Sequence, residues 1–393
     1  MGLKEDALKL HKKLKGKIEI KSKIAIKNSK ILSLLYTPGV AEVSKEIVID
    51  RNKVYDYTSK GNSVAIVTDG SRVLGLGNVG PEAALPVMEG KALLMKLFGN
   101  IDAFPICLNT QDTEEVITAI KNISPSFGAI NIEDIDSPKC FEVVERLSKE
   151  LDIPIYHDDQ HGIGIVTAAA LLNSLKLVKK NIQKIKLVIA GAGAAGTGIV
   201  KILSVFHIPN IIVVDSKGAI YEGREDLDKF KEDIAKRTNV EKIQGSLDEV
   251  INEADVFVGV TGRGNIVNKN FIKRMNKKAI VFALSNPDPE ILPDEAKKGG
   301  VSIIATGRSD YSNQINNSLI FPGILRGALD AGATKINYRM MMAATFALAN
   351  LTGRKISKNH ILPKTTDVAI HKKIAQSVYR MAIETKITRN KLD

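Results

Sequence analysis

The sequence predicts an α/β fold with mainly parallel sheets, and three observations lead to it. Short apolar runs alternate with stretches of helical periodicity along most of the chain, as in strand–helix–strand units. Two of these runs, 129–134 and 155–162, stop abruptly in carboxylates. A third, Leu187-Val-Ile-Ala-Gly191-Ala-Gly193-Ala-Ala-Gly196, runs straight into a glycine-rich turn.

Taken in order, residues 3–15 read as a helix. Residues 16–30 alternate loosely (Ile18, Ile20, Ile24, Ile26), and Thr37-Pro38-Gly39 marks a turn. Residues 63–68 read as a buried strand ended by Asp69-Gly70, and 82–98 have helical periodicity. Strands follow at 101–108, 128–132 and 153–156, with helices at 112–122 and 138–150 between them. A helix over 162–176, rich in Ala and Leu, bridges to a second unit. There, strands at 184–190 and 211–215 flank a helix at 194–206. Further strands are expected at 255–260, 279–284 and 301–305, and helices at 323–350 and 366–385 close the fold. The division expected is an N-terminal α/β substrate and metal domain over 1–160, then a doubly wound, Rossmann-type domain over 161–393.

Composition narrows the function. The 393 residues are 44% hydrophobic, enough for full-sized cores and far from a disordered composition. No apolar run is expected to reach bilayer length, and the N-terminus lacks the pattern of a signal peptide. With two cysteines, Cys107 and Cys140, a reducing cytoplasm is the simplest compartment. The net charge of +12 raises nucleic-acid binding as a rival reading. The dense basic patch from Lys9 to Lys30 carries no aromatic residue for base stacking, so a solvated face is preferred.

Glu133, Asp134, Asp158 and Asp159 sit where strands end, so they can converge into an oxygen cage for a hard cation, Mg²⁺ or Mn²⁺. Asp136 lies farther past its strand end and is the poorer ligand. His157 and His161 flank the acids, but the oxygen majority argues against zinc. The turn Gly191-Ala-Gly193-Ala194-Ala195-Gly196 follows a strand, opens a helix, and precedes Asp215 by 19 residues counted from Gly196. That is the context of a dinucleotide fingerprint, with the helix N-terminus facing the pyrophosphate. Asp215 suits the ribose hydroxyls of NAD and opposes a 2′-phosphate, so NAD is favoured. Ser216, Lys217 and Arg224 nearby keep NADP open. A metal site beside a nicotinamide site suggests metal-assisted redox chemistry.

Six motifs then occur in one order: Leu35-Tyr36-Thr37-Pro38-Gly39-Val40, Thr68-Asp-Gly-Ser-Arg72-Val-Leu-Gly-Leu-Gly, Glu89-Gly-Lys91, Asn131-Ile-Glu-Asp-Ile, His157-Asp-Asp-Gln-His-Gly and Ala283-Leu-Ser-Asn286-Pro. Read singly, Tyr36 is also a turn-packing aromatic, Lys91 a solvated helix lysine, Arg72 an ion-pair partner, and Asn286 and Asn317 turn formers. Together they resemble the malic enzymes, in the short bacterial and archaeal form, over about residues 15–385. One departure is Ser71, where many relatives carry Glu; it leaves the ion pairing around Arg72 open.

The resemblance implies oxidative decarboxylation of L-malate to pyruvate and CO₂ with NAD(P)⁺ and a divalent metal. It makes Glu133, Asp134 and Asp159 the metal ligands, with Asp158 beside Lys91 or the metal. It makes Lys91 the base for the C2 hydroxyl, its pKa lowered by burial and a nearby cation, and Tyr36 the acid that protonates C3. Arg72, Asn286 and Asn317 would hold malate, with Asn286 also reaching the cofactor. It further implies at least a homodimer, the tyrosine coming from the neighbouring subunit. A malolactic conversion, in which bound NADH reduces pyruvate to lactate, uses the same site and stays as the alternative.

Overall fold

The structure is a computed structural model that describes residues 2–389. It contains two parallel sheets. The first is formed by β1 (Ser63–Thr68), β2 (Asp102–Cys107), β3 (Ala129–Ile132) and β4 (Ile155–His157), in the order β2-β1-β3-β4. The second is formed by β5 (Lys186–Ala190), β6 (Asn210–Asp215), β7 (Gly218–Ala219), β8 (Val256–Gly259), β9 (Ile280–Ala283) and β10 (Ile303–Thr306). Its order is β10-β9-β8-β5-β6-β7, parallel apart from the short β7. The sequence expected every one of these strands but β7, a two-residue return that no periodicity can mark.

Register places the acids. β3 lies between β1 and β4, with Ile132 opposite both Val67 and His157. Glu133 and Asp134 therefore leave the sheet beside Asp158 and Asp159. In the second sheet, β5 has β6 on one side and β8 on the other. Chain order reverses there, which is where open α/β sheets bind ligands.

The helices Phe321–Asp330 and Val368–Glu384 pack on each other and on Pro81–Gly99, while Tyr338–Leu351 packs on Ile163–Val178. One apolar cluster accordingly includes Val64 and Ile66 of β1 together with Leu187 and Ile189 of β5. The expected single helix at 323–350 is two helices, broken at Gly332, whose φ of 58° is in the left-handed region. A second correction concerns apolar length. The helical stretch Asp158–Val178 is long and apolar enough to cross a membrane by composition, against the expectation that no run would be. It is 72% buried within the protein, where neighbouring helices cover its apolar sides.

The first 57 residues contrast with this core. The helices Leu3–Leu14, Ser29–Leu35, Gly39–Ile49 and Val54–Tyr57 have no buried residue. Leu8, Ile20, Leu34, Tyr36, Val48 and Ile49 are all exposed. The helices at 29–35 and 39–49 went unrecognised in the sequence because neither buries a face to set a period.

Candidate active site

The carboxyl ends of both sheets face one cleft of about 560 Å³. Arg72, Lys91, Glu133, Asp134, Asp159, Asn286 and Asn317 line it together with the turn from Gly191 to Ala195 and Asp215.

Lys91 reaches the cleft because of its helix register. On Pro81–Gly99 the buried positions are Ala84, Met88, Lys91, Ala92, Met95 and Gly99, the spacing of one apolar face. Lys91 is thus driven inward and is only 9% exposed. Its ammonium ion-pairs with Asp158 and lies 2.5 Å from Glu133 Oε1, and it sits 4.8 Å over the Phe321 ring. Asp158 therefore belongs to the lysine rather than to the metal cluster. Burial alone would lower the Lys91 pKa, but Asp158, Glu133 and Asp159 together raise it above the usual lysine range. The expected lowering is not found in the chain by itself, because three carboxylates outweigh desolvation. Two of them, Glu133 and Asp159, are expected metal ligands, and a cation on them would cancel much of that field.

Glu133, Asp134 and Asp159 each present an oxygen within 4.8 Å of the others. Among the described residues no histidine or cysteine joins this group. Asn131 Nδ2 donates to Glu133 Oε2 at 2.9 Å, and the Asp134 amide donates to Asp159 Oδ2 at 2.9 Å. Asp134 Oδ2 is buried with no hydrogen-bond partner. Burial, then the charge of Asp159, pushes Asp134 up to about 7. Crowded carboxylates with an orphaned oxygen fit a hard divalent cation, Mg²⁺ or Mn²⁺, whose preferred donors are oxygens. His157 and His161 stay outside: His161 Nδ1 accepts from the His157 amide at 3.2 Å. Asp136 is also outside the cluster and pairs instead with Arg72 at 3.5 Å.

Arg72 is half-exposed at the mouth of the cleft, held by its amide donating to the Asp134 carbonyl at 3.1 Å. Ser71 shows what replaces a local acid. Its hydroxyl donates to Asp69 Oδ1 at 2.6 Å and accepts from the Asp136 amide at 2.8 Å. Asp69, fully buried, also pairs with Lys139. The two asparagines at 316–317 separate in role: Asn316 accepts from the Ser318 amide as a helix cap, and Asn317 opens the following turn on the cleft.

The fingerprint turn requires its glycines. Gly191 has φ 114°, and a Cβ on Gly196 would lie 1.9 Å from the Gly191 carbonyl oxygen. Gly193 caps the helix Ala194–Leu203, whose free amides point to the cleft as an anion site. Asp158 and Gly196 stand just behind the cleft wall, against Lys91 and Gly191 respectively, whereas Tyr36 is not brought to the cleft by this chain. It is 68% exposed at the end of the helix Ser29–Leu35.

Sequence reasoning missed Glu290. It is fully buried and accepts from the Thr261 amide (2.9 Å), the Thr261 hydroxyl (3.0 Å), and the Ser285 amide (3.2 Å) and hydroxyl. It thereby ties together the loops after β8 and β9 that carry Gly262 and Asn286 into the cleft. Glu290 stands four residues past Asn286 in a proline-rich turn that also carries Asp288, so nothing local marks it as the buried acid of the pair.

A dinucleotide turn at the switch point of a parallel sheet, facing an ion-paired lysine, places the chain among the dinucleotide-linked oxidoreductases. Comparison with known proteins then gives the family. Residues 15–148 match the malic enzyme N-terminal domain, and residues 160–383 match the malic enzyme NAD-binding domain. The chain belongs to the malic enzyme family. It is 51% identical to the bifunctional malic/malolactic enzyme of Bacillus subtilis over 100% of this chain and 96% of that one. It is 49% identical to the NAD-dependent malic enzyme of Geobacillus stearothermophilus over 95% of this chain and 78% of that one. The crystal structure of malic enzyme from Pyrococcus horikoshii superposes with a TM-score of 0.95 at 47% identity, covering 100% of this chain and 93% of that one.

Proposed function

We propose that the chain oxidises L-malate and decarboxylates the product to pyruvate and CO₂, reducing NAD⁺, or NADP⁺ as the alternative. The observation that carries this is the meeting of Lys91, the Glu133–Asp134–Asp159 cluster and the dinucleotide turn on one cleft. When bound, the nicotinamide accepts the C2 hydride and a divalent metal supplies Lewis acidity at the C2 oxygen.

The chain's own groups do the rest. Arg72 offers a bidentate donor to a malate carboxylate at the cleft mouth. Asn286 and Asn317 supply amide donors and acceptors to the remaining oxygens. Lys91 removes the C2 hydroxyl proton as the hydride leaves, and Asp158 holds the ammonium that results. Loss of CO₂ leaves a three-carbon enolate, which takes a proton at C3 to become pyruvate. Tyr36 is the donor we propose for that proton.

Tyr36 lies outside its own chain's cleft, so we propose that a second copy delivers it, in at least a homodimer. The exposed apolar residues of the first 57 give that copy something to cover. Mixing two inactive variants checks this. Tyr36→Phe and Lys91→Ala chains, co-refolded, would form mixed dimers with one intact site, recovering about a quarter of wild-type turnover in a two-fold dimer. No recovery would mean that Tyr36 serves its own chain or is only a packing residue.

The reaction itself is tested by nicotinamide absorbance with malate, Mg²⁺ or Mn²⁺, and each nucleotide. Metal-dependent reduction of the nucleotide is expected. Lactate formed without free NADH would instead favour the malolactic conversion. Two free cysteines suit the cytoplasmic setting we propose, and neither a nucleic acid nor a membrane is a proposed partner.

A further inference from the structure

A second recess lies apart from the cleft and shares no lining residue with it. It holds about 570 Å³ between the last turn of the helix Pro81–Gly99 and the helices Phe321–Asp330 and Val368–Glu384. Leu97, Phe98, Val368 and Tyr379 give it an apolar lining. Lys372, Tyr379 and Arg380 recur at the spacing of one helix face, so the stripe that carries the tyrosine also brings two cations to the recess.

Charge and polarity distinguish this recess from a mere packing gap. Lys372 and Arg380 are exposed, and among the described residues neither has an ion-pair or hydrogen-bond partner. Asp330, the acid of the lining, is already taken by Arg326 Nη2 at 2.7 Å. Arg326 also donates Nη1 to Asn62, while its Nε is buried with no partner. His371 forms the inner wall, 1% exposed, its ring stacked on Phe98 with centroids 4.7 Å apart. Its Nε2 meets the Thr365 carbonyl at 3.3 Å, and its Nδ1 is buried with no partner. Two orphaned polar atoms around one recess call for a further partner, ordered water or a ligand. Arg326, Lys372 and Arg380 against one carboxylate leave the lining positive.

We propose that this recess is an effector site for an organic anion with an apolar body. The Arg380 guanidinium and the Lys372 ammonium take the anionic group, and Leu97, Phe98 and Tyr379 receive the body. Both walls lead to Lys91. Leu97 stands six residues beyond Lys91 on one helix, about 9 Å of rise. Arg326 stands five residues beyond Phe321 on the other, and the Phe321 ring lies 4.8 Å from the Lys91 ammonium. A ligand held between these helices therefore bears on the contact that seats the lysine. The effect on turnover rests on the role proposed for Lys91; binding does not.

Binding is read with anilinonaphthalene sulfonate, a fluorescent aryl anion, and turnover with malate, metal and NAD⁺ in the presence of phenyl phosphate. The wild type should bind the dye at a saturable site, lose it to phenyl phosphate, and keep it in inorganic phosphate of the same concentration. The double variant Lys372→Ala/Arg380→Ala, altered only at exposed positions, should bind the dye at least about 10-fold more weakly, the range for losing charge-assisted bonds. Lys372→Arg/Arg380→Lys should keep it. Phenyl phosphate should change malate KM or kcat by about fivefold or more in the wild type, a typical coupling between sites, and leave the double variant unaffected. Equal dye affinity in the double variant would overturn the proposal, because the dye would then sit elsewhere. Equal displacement by inorganic phosphate would reduce the site to loose ion attraction. Dye binding that falls as protein concentration rises would show a second copy covering the recess, and would overturn it too. A dye site with no change in turnover would remove the effector role. A wild type that binds the dye but never turns over malate would sink the proposed reaction instead.

Discussion

Replacing Lys91 by alanine is expected to lower malate turnover by ~10²–10⁴-fold, the usual cost of losing a positioned general base. The reason is geometric. The ammonium is enclosed by Asp158, Glu133 and the Phe321 ring, so water has little room to take its place in the same position. The substitution also leaves two buried carboxylates without their cation, which costs about 3–5 kcal/mol when such a pair is broken. Folding must therefore be checked by circular dichroism and denaturant midpoint. Rescue separates the two effects: a small primary amine added to the folded variant should restore part of the rate by filling the vacated space. A folded Lys91→Ala enzyme with wild-type turnover would remove Lys91 from the chemistry.

Asp159→Ala is expected to have the second large effect. It removes one of three cluster oxygens and the acceptor for the Asp134 amide. Substitutions one shell farther out already cost about 10–100-fold in metal affinity, so loss of a direct ligand should raise the metal needed for half-activity by at least about 100-fold. Asp159→Asn keeps an acceptor for the Asp134 amide while losing the charge, so it distinguishes ligation from scaffolding. If Asp159→Ala needed no more metal than the wild type, the cluster would be structural.

Much of this site was legible because its parts are local in sequence. Glu133, Asp134 and Asp159 follow apolar runs that end abruptly, and such runs are strands whose ends share a sheet edge. Gly191 to Gly196 and Asp215 are spaced by a single βαβ unit. What stayed hidden depends on contacts between distant segments. Nothing local shows that Lys91 meets Asp158, 67 residues away, a placement only the family resemblance offered beside the metal as its alternative, and nothing local shows that the surrounding carboxylates raise rather than lower the lysine's pKa. Asp215 looked free, yet it pairs with Lys231, which lies a whole loop later on another helix. Tyr36 is the extreme case: its motif is plain, yet its own chain leaves it in solvent.

The most direct measurement of the central claim is the product balance of the wild-type enzyme. Malate, metal and NAD⁺ or NADP⁺ would be incubated with the protein, and CO₂, pyruvate and reduced nucleotide measured in one sample. One of each per malate consumed, with none formed when the metal is chelated, is the expected result. Oxaloacetate accumulating without CO₂, or malate consumed with no nucleotide reduced, would contradict the account.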